Sequence, residues 1–207
     1  MKLYLDEDNI EVGVDEVGRG CLFGRVYAAA VIWPKENNPN IDHPIMKDSK
    51  KYSKKKLLEM EEYVKKNCIA YSIGYIDEDI IDEINILNAT YKAMHQALDN
   101  LENDYEIILV DGNRFEPYLN NNNDIIPHKC IIEGDTKFYS IAAASIIAKC
   151  ARDRYIKDLC KELPILDQKY KLSSNVGYGS KHHLDGIKEH GITKYHRKSF
   201  GICKNYC

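Results

Sequence analysis

The segment Phe138–Leu159 constrains the fold of this chain most strongly. It has the periodicity of a helix, and one side is rich in small residues, namely Ala142, Ala143, Ala144, Ser145 and Ala148. Because small side chains allow a helix to approach a sheet closely, we expect this helix to pack directly on a β-sheet. The rest of the sequence must therefore supply that sheet.

Alternating and clustered apolar residues predict the strands. They are Ile10–Asp15 and Gly24–Trp33, which form a hairpin with its bend at Val17–Gly20, then Cys68–Ile76, Tyr105–Val110 and Ile125–Ile132. The other predicted helices are Ser53–Lys66, with Ser53 as N-cap, then Asp79–Leu101 and His182–His190. Strands that are first antiparallel and then alternate with helices predict an α/β fold with a mixed sheet.

Composition limits the classes of function. The formal charge of -3 is close to neutral, so a polyanionic partner would have to bind a local positive surface. No apolar run is long enough to span a membrane, and Met1–Asn9 carries acids in place of a secretory signal. We therefore expect an intracellular, cytoplasmic protein whose seven cysteines, an odd number without a CxxC pair, are reduced thiols.

Four carboxylates follow the predicted strands. Asp15 and Glu16 end the first strand, Asp111 directly follows the fourth, and Asp135 precedes the small-residue helix. Because ligand sites of α/β sheets gather at strand ends, these acids can converge. Oxygen ligands suit Mg²⁺ or Mn²⁺, and two such ions about 3.5–4 Å apart can hydrolyse a phosphodiester. Spacing alone leaves open the alternative that each acid is an exposed turn residue.

Three further features could contact nucleic acid, and each has an ordinary structural alternative. Gly18 and Gly20 allow a close backbone approach to a ligand, and Arg19 could reach a phosphate, but a hairpin turn has the same sequence. The lysine-rich segment around Lys50 is a phosphate track or a solvated charged surface. Tyr178, between two glycines, packs in a turn or stacks on a base or sugar.

The histidines and cysteines give weaker signals. His182, His183, His190 and His196 fit no familiar zinc spacing, so we interpret them as surface or backbone-contacting groups. The sequence lacks the local signatures of Ser-His-Asp and Cys-His nucleophiles and of a P-loop.

Several segments, in this order along the chain, resemble the ribonuclease HII family, or type 2 ribonuclease H. The resemblance extends from about Val12 to Phe200. The matching motifs are Val12–Gly20 with strand Tyr27–Ile32, Asp48–Lys51, Glu83–Thr90, Val110–Asn113, Gly134-Asp135, Ser140–Lys149, Arg152-Asp153, Gly177-Tyr178, His190-Gly191 and His196–Phe200.

This resemblance implies a ribonuclease H-like fold, in which a five-stranded mixed sheet is flanked by helices. It implies a single catalytic domain, residues 1–207, whose part from about 160 to 207 is a helical C-terminal extension. It also implies that Asp15, Glu16, Asp111 and Asp135 are the catalytic acids and hold two Mg²⁺ or Mn²⁺ ions.

The implied substrates are RNA/DNA hybrids and DNA duplexes with embedded ribonucleotides, cut to leave 5′-phosphate and 3′-hydroxyl ends. Gly18, Arg19 and Gly20 match the motif whose backbone reads 2′-hydroxyls, the groups that distinguish RNA from DNA. Lys50 belongs to the implied substrate-binding residues, and Tyr178 matches a tyrosine that stacks at the RNA–DNA junction. The resemblance places the protein in DNA replication and repair, and we expect a monomer.

The sequence departs from the family pattern at four places. Cys21 and Arg25 stand where prolines are usual, Glu133 replaces a basic residue, and Asn175-Val176 replaces His-Lys. The alternatives are therefore another nuclease with the same carboxylate architecture, or a non-catalytic or altered-specificity relative that binds hybrids.

Overall fold

A computed structural model of the chain describes residues 1–35, 46 and 52–207. The strands are β1 (Glu11–Val17), β2 (Val26–Ile32), β3 (Ala70–Ile76), β4 (Ile107–Asp111), β5 (Tyr118–Leu119), β6 (Ile125–Ile126) and β7 (His128–Ile131). The α-helices are α1 (Lys54–Asn67), α2 (Glu78–Asp99), α3 (Tyr139–Glu162), α4 (Pro164–Tyr170), α5 (Leu172–Asn175) and α6 (Lys181–His190). Two 3₁₀ helices span Gly134–Thr136 and Gly201–Tyr206.

The main sheet has five strands in the order β3-β2-β1-β4-β7. β1 pairs antiparallel with β2 and β2 with β3, whereas β1 pairs parallel with β4 and β4 with β7. The predicted hairpin and the predicted mixed sheet are therefore confirmed. β5 and β6 form a separate two-stranded sheet.

Helices cover both faces of the main sheet. α2 packs on one face against Val12 and Val14 of β1, and α1 and α3 pack on the other face. The small-residue prediction for α3 is confirmed, because a Cβ added at Gly13 would lie 2.3 Å from the carbonyl carbon of Ser140. At such a distance only a residue without a side chain allows β1 and α3 to approach each other.

Two predicted elements are interrupted. The predicted helix Asp79–Leu101 is kinked at Asn85, whose φ is 68° and whose side-chain oxygen accepts the amide hydrogens of Leu87 and Asn88. Asn85 thus caps the second half of α2, a role that suits asparagine. The predicted strand Ile125–Ile132 is wrong as one element, since Pro127 has no amide hydrogen and separates β6 from β7.

The residues after α3 form short helices around a third apolar cluster. Phe23, Ile156, Tyr170, Leu172 and Ile187 are at its centre. The helical C-terminal extension is thus confirmed, and its core includes the loop between β1 and β2. Within the described ranges, we find no helix of the length and apolar character that crossing a membrane would require.

Candidate active site

The parallel pairing of β1 with β4 brings two predicted acids together. Val14 pairs with Val110, so Asp15 and Asp111 occupy the next positions on neighbouring strands. Because side chains alternate along a strand and Val14 and Val110 face α2, both acids point towards α3. Glu16, one residue further along, points to the opposite face of the sheet.

Each of these three carboxylates is engaged by the protein itself. Asp15 accepts the amide hydrogen of Glu16 at 2.7 Å and has a hydrogen bond with the Ser145 hydroxyl of α3. An Arg19 guanidinium nitrogen donates to Glu16 at 3.2 Å. Asp111 accepts the amide hydrogen of Gly134 at 2.7 Å.

The negative charges of the acids act on one another. Burial raises the pKa of Asp15 well above its ordinary value, and the charges of Glu16 and Asp111 raise this pKa further. Burial also raises the pKa of Glu16, although the positive charge of Arg19 opposes the rise. Carboxylates held this close favour protons or bound cations that reduce their repulsion.

Asp135 lies in the 3₁₀ helix Gly134–Thr136, four residues before α3 begins, so it is not in the first turn of α3. The Gly134–Asp111 hydrogen bond attaches its segment to the carboxyl end of β4. In the part of the chain that the structure describes, no three His, Cys, Asp or Glu side chains are already arranged as metal ligands. The main chain gathers the strand-end acids at one edge, but the side chains are not oriented as a ligand shell.

A cleft of about 400 Å³ opens beside the acids. Glu16 and Asp111 form its acidic side, and Arg19, Asn113 and Arg114 also line it. A negatively charged backbone can therefore meet guanidinium groups at the edge that carries the carboxylates.

The loop Gly18–Arg25 is held by a buried arginine of α3. Arg152 is fully buried and donates to the carbonyl oxygens of Phe23, Arg25 and Val176 at 2.7–3.1 Å. A Cβ on Gly18 would lie 2.3 Å from its Nε atom. One guanidinium thus connects the predicted 2′-hydroxyl-reading loop with the segment that precedes Tyr178.

A second buried guanidinium holds the same loop from the C-terminal side. Arg197 is fully buried and donates to the carbonyl oxygens of Arg19 and Gly24 at 2.9 and 2.8 Å. The main-chain nitrogen of Arg197 donates to the carbonyl oxygen of Leu22 at 2.8 Å. Sequence reasoning missed the roles of Arg152 and Arg197, although both belong to motifs that carried the resemblance.

The remaining predicted substrate contacts have different outcomes. Tyr178 is 40% exposed, and its ring lies 6.0 Å from the Arg152 guanidinium carbon, beside the Gly18–Arg25 loop. Arg19 is exposed. Lys50 lies outside the described residues.

Of the four histidines interpreted as surface or backbone-contacting groups, two are buried. His183 and His196 have 0% and 1% exposure, and their Nε2 atoms are 3.2 Å apart. The interpretation as backbone-contacting groups is confirmed for both, because His183 Nδ1 lies 2.9 Å from the Tyr178 carbonyl oxygen and Thr193 N donates to His196 Nδ1 at 3.0 Å. His182 and His190 are exposed as predicted.

The unusual residue Arg25 is stabilised locally. Its guanidinium lies 4.2 Å from the ring centre of Tyr75 and 4.6 Å from that of Tyr155, and it pairs with Asp77 at 2.6 Å. These contacts stabilise the start of β2. All seven cysteines are free thiols, as the sequence predicted.

Solved structures identify the fold. The ribonuclease H2 from Pyrococcus horikoshii OT3 matches with a TM-score of 0.73 and 22% identity, covering 95% of this chain and 96% of that one. Bst-RNase HIII in complex with Mn²⁺ matches with a TM-score of 0.70 and 18% identity, covering 95% of this chain and 68% of that one. The chain has the ribonuclease H-like fold.

The sequence comparison is more specific. The Ribonuclease HII family pattern matches residues 12–203. The Ribonuclease HII of Bacteroides thetaiotaomicron is 45% identical over 199 residues, which cover 96% of this chain and 93% of that protein. The chain belongs to the ribonuclease HII family, and it is a type 2 ribonuclease H endonuclease.

Proposed function

We propose that this endonuclease hydrolyses the RNA strand of RNA/DNA hybrids and cuts on the 5′ side of ribonucleotides embedded in duplex DNA. The products carry 5′-phosphate and 3′-hydroxyl ends. The observation that carries the proposal is the adjacent placement of Asp15 and Asp111 on parallel strands, beside Glu16 and a cleft lined by guanidinium groups.

The donor set fits hard divalent cations. Asp15, Glu16 and Asp111 offer only carboxylate oxygens, and their mutual repulsion, which raises the pKa of Asp15, would be relieved by bound positive charge. These three acids with Asp135 would hold two Mg²⁺ or Mn²⁺ ions, which activate a water and stabilise the leaving oxygen. A structural relative, Bst-RNase HIII, has been solved in complex with Mn²⁺.

The chain's own residues would select and orient the nucleic acid. Gly18 and Gly20 offer main-chain groups to 2′-hydroxyls, and Arg19 is exposed at the cleft where it could contact a phosphate. Tyr178 presents an exposed ring beside the same loop and would stack where RNA gives way to DNA. Arg152 supports these assignments, because its guanidinium donates both to the Gly18–Arg25 loop and to the segment that precedes Tyr178.

The test of the acids uses a DNA duplex with one ribonucleotide, in Mg²⁺ or Mn²⁺. Asp15→Asn should abolish cleavage and leave binding largely intact, since it removes a metal ligand but no substrate contact. The matched control is Asp185→Asn, an exposed carboxylate of α6. Turnover of Asp15→Asn at the wild-type rate would refute its role. A wild-type chain that bound without cutting in either metal would favour a non-catalytic hybrid-binding protein.

The test of junction reading compares two substrates. Tyr178→Ala should lose cleavage at single ribonucleotides more than on continuous hybrids, because only the former require the junction to be recognised. End analysis of the products should find 5′-phosphates. Equal losses on both substrates would contradict the role of Tyr178.

A further inference from the structure

A buried hydrogen-bonded chain ends on the main-chain carbonyl of Tyr178. Thr193 N lies 3.0 Å from His196 Nδ1, the two Nε2 atoms of His196 and His183 are 3.2 Å apart, and His183 Nδ1 lies 2.9 Å from Tyr178 O. None of these groups belongs to the acid cluster, so the catalytic role of the acids does not account for them.

The direction of this chain follows from its ends. A main-chain N–H can only donate, so His196 Nδ1 accepts from Thr193 and the proton of a neutral His196 is on Nε2. That proton faces His183 Nε2, which must accept, and this leaves the His183 proton on Nδ1. His183 Nδ1–H therefore donates to the carbonyl oxygen of Tyr178.

The surroundings keep both imidazoles neutral and fixed. Edge-on contacts with His196 come from Phe23, at 5.0 Å between ring centres, and from Tyr170, at 4.8 Å. Burial lowers the pKa of His183, and burial together with the neighbouring imidazole lowers the pKa of His196 to about 3. The direction of the chain is thus the same across the neutral pH range.

The His183 bond is one of several hydrogen bonds that hold the segment around Tyr178. Gly177 has a φ of 86° and Gly179 follows Tyr178, so the main chain on both sides has the freedom of glycine. The Tyr178 carbonyl accepts from Ser180 N at 2.8 Å, which is local, and from His183, which lies in α6. Tyr178 N also donates to the Asn175 carbonyl oxygen of α5 at 3.0 Å, and Leu22 N donates to the Gly177 carbonyl oxygen at 2.9 Å. The His183 bond is the one that connects the Tyr178 carbonyl to α6.

We infer that His183, oriented by His196, is a positioning residue that fixes Tyr178 for recognition of the RNA–DNA junction. The inference rests on the proposed junction-reading role of Tyr178. The buried pair His183 and His196 would thus affect which substrate is selected. Cleavage of continuous hybrids by the acids on the sheet edge would not depend on this pair.

The experiment measures kcat/KM on a duplex with one ribonucleotide and on a continuous hybrid, and divides the first value by the second. His183→Phe keeps a buried ring but removes the donor, so the ratio should fall about fivefold or more, the effect of losing one such hydrogen bond. His183→Asn places an amide donor near the Nδ1 position and should restore most of the ratio. Adding Tyr178→Ala to His183→Phe should lower it no further than Tyr178→Ala alone.

The outcomes separate this inference from the proposed function. If Tyr178→Ala loses both activities equally, the junction-reading proposal fails. If Tyr178→Ala is selective but His183→Phe lowers both activities in parallel, His183 is merely structural and the inference alone is overturned. Should His183→Phe not fold, long-range ¹H–¹⁵N correlation spectra of the wild-type protein decide. We expect the proton on Nδ1 of His183 and on Nε2 of His196, and the opposite tautomer of His183 would overturn the inference.

Discussion

The buried imidazole of His196 should make the stability of this protein depend on pH. Burial holds the pKa of His196 at about 3 in the folded state, whereas the unfolded chain has an ordinary histidine pKa of about 6.5. As pH falls below about 6.5, the His196 imidazole becomes protonated in the unfolded state but stays neutral in the folded state. The contribution of His196 to the free energy of unfolding is therefore fully present above about pH 6.5 and is lost as pH falls towards about 3.

The size of the effect follows from this difference. Each pH unit below about 6.5 costs about 1.4 kcal/mol for one such group, so lowering the pH from about 7.5 to about 5.0 should cost about 2 kcal/mol. His196→Asn removes the titrating ring but keeps an oxygen that can accept from Thr193 N. Its free energy of unfolding should therefore fall by about 2 kcal/mol less than that of the wild type over the same pH interval.

Urea denaturation at both pH values measures the difference, provided that the slopes against urea agree. The matched control is His182→Asn, which removes an exposed imidazole from α6 and should behave like the wild type. An equal pH-dependent loss in His196→Asn and in the wild type would refute the reasoning. The pH dependence would then arise elsewhere, for instance from the carboxylates.

Three further predictions concern the acid edge and its supports. Mn²⁺ should raise the thermal midpoint of the wild type but not that of Asp15→Asn. In EDTA the variant should be the more stable of the two, because it lacks the repulsion between Asp15 and its neighbouring carboxylates. A less stable variant would contradict the electrostatic argument. Gly13→Ala should lose about 1–3 kcal/mol or more in urea denaturation, because its Cβ would meet the backbone of α3, while Gly20→Ala, with open space around its Cβ, should lose far less. Arg152→Lys should cost about 1–3 kcal/mol in the same assay, because one ammonium cannot serve three carbonyl oxygens; an unchanged midpoint would show that the loops hold without it.

Much of the fold follows from local patterns in the sequence. The β1–β2 hairpin, the helix capped by Ser53 and the close packing of α3 could all be predicted, because each depends on residues within one or two segments. The four acids could be proposed as candidates for a related reason, since they lie at or near the ends of regular elements. The resemblance then implied a shared role for them, which spacing alone left open.

The tertiary structure decided the features that join distant segments. The amino-acid types of His183 and His196 are visible in the sequence, but burial and the direction of their hydrogen bonds arise only when α6 packs beneath the β1–β2 loop. In the sequence, Arg152 is one more basic residue of a predicted helix. In the structure, its guanidinium donates to carbonyl groups up to 129 positions away.

The amino-acid sequence by itself determined the class of fold and the family and indicated the four acids as candidates, because local periodicity and motifs along the chain carry this information. The packing of the chain alone decided which carboxylates become neighbours and which buried groups hold the Gly18–Arg25 loop and the segment before Tyr178. The physical reason is that hydrogen bonds and charge repulsion depend on distances of a few ångströms, which sequence separation does not specify.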